Sequence, residues 1–166
     1  MKKVIVFALA VLLLFTFLGC NKEQDDIEVP VKFYYRNAAI SYNSDQAVIC
    51  SETQESNGYD LTGIINKYLQ GPNTDECVSP FPAGVSVLSI EQIDSNLLIQ
   101  LSAPFAELSG IHLTLACACL SKTIMELTQC TTVEISVPDA TLNGSSSIIM
   151  NEQHLLLVDS SVQNTG

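Results

Sequence analysis

Two spacings of apolar residues alternate along this chain, and that alternation constrains its fold more tightly than any single motif. In "YDLTGIINKYLQGP", Leu61, Ile64, Ile65, Tyr68 and Leu69 fall at i, i+3, i+4, i+7 and i+8, one stripe of a helix. Asp60 is placed to cap its start, Gly71 can adopt the left-handed conformation that ends it, and Pro72 cannot extend it. Strand periods lie on both sides. "VKFYYR" sets Val31, Phe33 and Tyr35 against Lys32, Tyr34 and Arg36, and "QAVICSE" follows a polar turn. After the Pro82-Ala83-Gly84 entry come "VSVLSIEQI" and "LLIQLS", separated by "DSN", a hairpin pattern.

A second helical stripe, Leu113, Cys117, Leu120, Ile124 and Leu127, runs through "IHLTLACACLSKTIMEL". "TTVEISVP" then alternates as a strand, "DATLNGSSS" reads as loop, and "SIIMNEQHLLLVD" predicts a terminal hairpin turning near Glu152 and Gln153. Strand, strand, helix, hairpin, helix, strand, hairpin predicts an α+β fold. It is a single small domain with two helices packed on one face of a largely antiparallel sheet.

The chain starts with "MKK", an uncharged apolar run from Val4 to Leu18, and "GCNKEQDD". This is the charge, apolar-core and small-residue order of a secretory signal, and its apolar run is shorter than the roughly 20 residues a spanning helix needs. The Gly19-Cys20 junction resembles the bacterial lipoprotein signal, in which the cysteine is acylated and becomes the first residue of the mature protein. The expected organisation is a signal peptide over 1–19, lipidated Cys20 with an acidic tether over 20–30, one domain over 31–160 and a flexible end over 161–166. The lipid would hold the protein on the outer face of the cytoplasmic membrane.

The whole chain has 7 basic and 18 acidic residues, a net charge of −11. Removing Lys2 and Lys3 with the signal leaves 5 against 18, near −13. Such a surface repels nucleic acid and anionic lipid headgroups. The acidic pairs Asp25-Asp26 and Asp75-Glu76 read as solvated loops, and no metal site or cofactor motif is present: no Cys-His ligand pairs, calcium loop, phosphate-binding loop, dinucleotide fingerprint or nucleophile elbow. His112 and His154 have no acid or cysteine at triad or ligand spacing. No catalytic residue is therefore assigned. Lipidation of Cys20 would leave Cys50, Cys77, Cys117, Cys119 and Cys130, an odd number, so at least one thiol stays unpaired within the chain.

Taken together, "VKFYYRN", a helix ending "YLQGP", the run "FPAGVSVLSIEQIDSNLLIQLS" and "IMELTQCTTVEISVPD" resemble the GerMN domain, a module of sporulation and spore germination, over roughly residues 31–140. Leu69, Gly71 and Pro72 followed by Pro82 and Gly84 carry the most specific part of the resemblance. It implies a non-enzymatic protein in the envelope of a spore-forming bacterium, with envelope or sporulation proteins, or a second copy, as partners. The other expectation is a lipoprotein that captures a small molecule or cell-wall fragment. Within the implied arrangement Cys77 and Cys130, each just beyond a helix end, are the expected disulfide. Cys117 and Cys119 point to different sides of one helix and are not expected to bridge.

Overall fold

The computed structural model describes residues 28–39, 47–58 and 60–155. The signal segment, Cys20 and most of the tether lie outside them, as do the end of the domain beyond Leu155 and the C-terminal residues. The chain order is β1 (Glu28–Asn37), β2 (Ile49–Asn57), α1 (Leu61–Leu69), β3 (Cys77–Val78), β4 (Val87–Ile93) and β5 (Asn96–Leu101). A short 3-10 turn at Ala103–Glu107 leads to α2 (Gly110–Thr128), β6 (Thr132–Ser136) and β7 (Ser147–Asn151). Both helices, the DSN hairpin and the strand after α2 lie where the periodicities predict. The turn after β7 is also present, at residues 152–154, while its return strand would fall largely outside the described residues.

The α+β class holds, but the strands divide over two sheets instead of one. The first has the order β2-β1-β3 and the second β4-β5-β6-β7. All neighbours are antiparallel except β5 and β6, which α2 joins as a parallel crossover. The division arises at β1. Strand β3 is two residues long and meets β1 only at Arg36 and Asn37, so among the described residues the rest of that edge has no strand neighbour.

Side chains from the two helices occupy the bare edge. The Tyr34 amide donates to the Thr123 hydroxyl of α2 at 3.1 Å, and the Tyr68 phenol of α1 donates to the Tyr34 carbonyl. At Tyr34 the edge is therefore closed to another strand. Pro30, two residue pairs earlier on β1, has no N–H to leave unpaired.

Helix α2 is the shared wall between the sheets. Residues 115–121 are all buried, so the middle of the helix is covered on every side and not only along its predicted stripe. It packs on β1 of the first sheet and on β6 and β7 of the second, while α1 packs on β2 and β4. Phe33, Tyr35, Tyr68, Leu97, Ile99, Leu120, Val133 and Ile135 belong to one continuous core. Tyr34, Ile49 and Cys119 form a smaller cluster on the other side of β1.

The disulfide differs from the expected one. Cys77 bonds Cys50, with the two Cα atoms 6.0 Å apart, and Cys130 is a buried free thiol. The reason lies in the topology: β3 returns Cys77 to the first sheet beside Asn37, whereas Cys130 leads from α2 into β6 of the second sheet. Cys117 and Cys119 do not bridge each other, as expected; both are free, and burial pushes both thiols up to about 12. Both therefore stay protonated at neutral pH and act as small apolar groups.

The role assigned to Thr123 is testable against its near neighbour Ser121, whose buried hydroxyl has no hydrogen-bond partner among the described residues. Thr123→Val keeps the shape but removes the hydroxyl that accepts the Tyr34 amide, and is expected to cost about 1–3 kcal/mol. Ser121→Ala removes a hydroxyl that bonds nothing and is expected to leave stability unchanged or raise it. Chemical denaturation of both variants measures the contrast, and equal losses would reject it.

Candidate functional site

Of the motif residues singled out in the sequence, Leu69 and Gly71 lie at a junction with β1. Leu69 is buried, and α1 stops at Gln70, with Gly71 following at a φ of +107° that side chains with a Cβ rarely adopt. The Gly71 amide donates to the Tyr68 carbonyl at 3.1 Å. From β1, the single Tyr35 phenol proton faces both the Tyr68 and the Gly71 carbonyl oxygens, each 3.1 Å away. Two acceptors that a helix end leaves exposed are thus closed by a strand side chain. Burial first, and then the Glu52 charge, pushes the Tyr35 phenol well above its ordinary range, so it remains a donor at any physiological pH.

The second half of the motif joins the first through aromatic contact. The Tyr68 ring centroid lies 5.1 Å from Phe33, 4.9 Å from Tyr35 and 5.1 Å from Phe81. Directly after Phe81, Pro82 accepts from the Val85 amide at 3.5 Å across a turn whose third residue, Gly84, has φ +81°. Ser102, at the end of β5, donates its hydroxyl to the Gly84 carbonyl at 3.4 Å and accepts the Ser86 amide at 2.9 Å. The turn at Pro82 and Gly84 leads the chain into the central hairpin.

Glu52 is a junction residue that the sequence reading missed. Its carboxylate accepts the amides of Asn73 at 2.8 Å and Thr74 at 3.2 Å, the Thr74 hydroxyl at 2.8 Å and the Gln54 side-chain amide. These bonds fasten the loop after α1 to β2. Partial burial pushes the carboxyl pKa up, but the hydrogen bonds outweigh it and the net shift is downward from 4.5. Nothing in the spacing of "CSETQ" announces a partner twenty residues away.

Reactive chemistry is sparse. Among the described residues no group of three His, Cys, Asp or Glu side chains is placed to hold a metal ion. His112 and His154 are exposed and lie on different elements. At the C-terminal end of α2 an open depression of about 460 Å³ is lined by Met125, Glu126, Cys130 and Glu152 among others.

The second sheet offers more surface. Its inner face, with Leu97, Ile99, Leu101, Val133, Ile135 and Met150, is core. Its outer face carries the cross-strand row Glu91, Leu98, Glu134 and Ile149, one residue from each strand. Ile149 is 54% exposed there and Ile93, at the hairpin tip, 50%. No described helix is long and apolar enough to cross a membrane.

A domain of this architecture, with a helix stopped by glycine against an aromatic strand and a βαβ crossover behind a central hairpin, has a GerMN-like fold. Comparison with solved structures finds the tandem GerMN domains of the sporulation protein GerM from Bacillus subtilis. The TM-score is 0.57 and the identity 17%, over 78% of this chain. The match takes in 46% of that protein, so this chain spans less than half of its tandem relative. The first GerMN domain of the same protein aligns with a TM-score of 0.55 and 12% identity, over 75% of this chain and 98% of that domain. A lipoprotein structure from Clostridium perfringens aligns at 0.43 with 17% identity, over 81% of this chain and 93% of that one, and nothing rests on it. No family model matches the sequence. No curated protein matches it either.

Two measurements test the junction. Gly71→Val places a β-branched residue at φ +107° and is expected to destabilise by about 1 kcal/mol or more; an unchanged thermal midpoint would reject the helix-stop role. For Glu52 the sign follows from the lowered pKa. Its stabilisation is complete above the ordinary 4.5 and is lost as pH falls through the lower folded-state value. Glu52→Gln is therefore expected to lower stability at pH 7 and to flatten the acid-induced loss below pH 4.5, read from denaturation midpoints against pH.

Proposed function

We propose that the chain is a lipid-anchored, non-enzymatic envelope protein whose GerMN-like domain binds protein partners during sporulation or spore germination. The observation that carries this reading is the fold it has in common with the GerMN domains of a sporulation protein. Two physical arguments support it. Gly71 and Gly84 sit in backbone turns, which points to the exposed surface as the functional part of the molecule. An acyl chain on Cys20 would also confine the domain near a plane, where a high effective concentration makes weak lateral contacts sufficient.

The localisation that follows is the outer face of the cytoplasmic membrane, with palmitate or a similar acyl group on Cys20 as the attachment. Cys20→Ser is expected to move the protein from the detergent-dependent membrane fraction to soluble or uncleaved forms. A variant that is still acylated and fractionates like the parent would overturn the anchor. Deleting the gene in the spore-forming host is expected to reduce the yield of spores or their germination. Normal spores, together with saturable binding of a small molecule in the depression at the end of α2, would favour the ligand-binding alternative.

A further inference from the structure

The outer face of β4–β7 sets exposed apolar side chains beside carboxylates. In the row Glu91, Leu98, Glu134 and Ile149, a carboxylate stands on each side of a leucine and an exposed isoleucine closes the line. Neighbouring strands are roughly 4.8 Å apart, so the two carboxylates, two strands apart, are separated by roughly 10 Å. The four basic residues of the described chain, Lys32, Arg36, Lys67 and Lys122, stand on β1, α1 and α2. The second sheet has none, and its apolar side chains face water with acids as their only charged neighbours within the sheet.

We propose that this face is the docking surface for a protein partner that presents lysine or arginine on both sides of an aliphatic ridge. This rests on the interaction reading above and names the surface and the chemistry of its partner. Charge complementarity selects that occupant. An anionic membrane surface would be repelled by Glu91 and Glu134. A second copy would bring the same acids, and three of its four described bases are engaged within the fold: the Lys32 and Lys122 ammonium groups lie 5.0 and 4.6 Å from the Tyr34 ring centroid, and Lys67 donates to the Glu55 carbonyl. A basic helix fits the spacing, because side chains seven residues apart are roughly 10 Å apart along its axis. Leu98 and Ile149 supply the apolar contact, and the carboxylates set orientation and reject acidic competitors.

The experiment replaces Ile149 with photo-reactive benzoyl-phenylalanine in the full-length chain, expressed in its own spore-forming host. The same replacement of exposed Ile111 on α2 serves as the comparison site. Light is expected to join position 149 to one envelope protein, with peptide mapping placing the bond beside lysine or arginine residues. Glu91→Lys with Glu134→Lys should lower the adduct yield about tenfold or more, and the paired Gln variants should fall between. The parent thermal midpoint, retained in the Gln pair, shows that the loss is not unfolding. No adduct at position 149, an adduct indifferent to both pairs, or an adduct to lipid or to a second copy overturns the proposal. Adducts at 111 without any at 149 overturn this face alone and leave the interaction reading standing. No adduct at either position, with normal spores from the deleted strain, overturns both.

Discussion

The fold depends on how one residue's backbone is satisfied away from its strand neighbour. At Tyr34 the third strand has run out, and a buried amide and carbonyl without partners would each cost on the order of 1–3 kcal/mol. Thr123 accepts from the amide and Tyr68 donates to the carbonyl, so α1 and α2 are both fixed against the same point of β1. Direct pairing to another strand would have extended the first sheet. Side-chain pairing ends it instead, and the remaining strands form a sheet of their own.

From that point the aromatic residues connect the levels of structure. Phe33 and Tyr35 project from β1 toward Tyr68, whose ring also meets Phe81 ahead of the turn into the hairpin. The same Tyr35 closes the end of α1 with its hydroxyl. A change there would disturb packing, the helix end and the loop together, because these groups are too close for their effects to add independently.

Several of these features were legible in the sequence for simple reasons. The stripe in α1, the Gly71-Pro72 stop and the alternation of Val31, Phe33 and Tyr35 are local consequences of period and backbone freedom. The split into two sheets was not legible, because strand periodicity reports which face is buried and says nothing about which edge is paired. The disulfide failed for a related reason. Cys77 and Cys130 each lie just beyond a helix end, which predicts their approach, yet the two-residue strand that carries Cys77 pairs with β1 and brings it to Cys50. Glu52 was invisible because its partners, Asn73 and Thr74, are set by tertiary geometry.

Architecture and surface are also separated in space, and this bears on what the domain can do. The Gly71, Tyr35 and Glu52 hydrogen bonds fasten the first sheet to α1 and its following loop. The outer row of the second sheet makes no contribution to that junction, and its strands are held by ladder bonds and by an inner face of Leu97, Ile99, Val133 and Ile135. Side chains at positions 91, 98, 134 and 149 can therefore change with little effect on the core, since an exposed residue on a strand contributes chiefly through its immediate cross-strand neighbours. A surface of that kind is free to be fitted to a partner. Structures with 17% and 12% identity that keep the GerMN-like fold are compatible with this division: the fold needs a few junction chemistries, and the exposed row sets none of them.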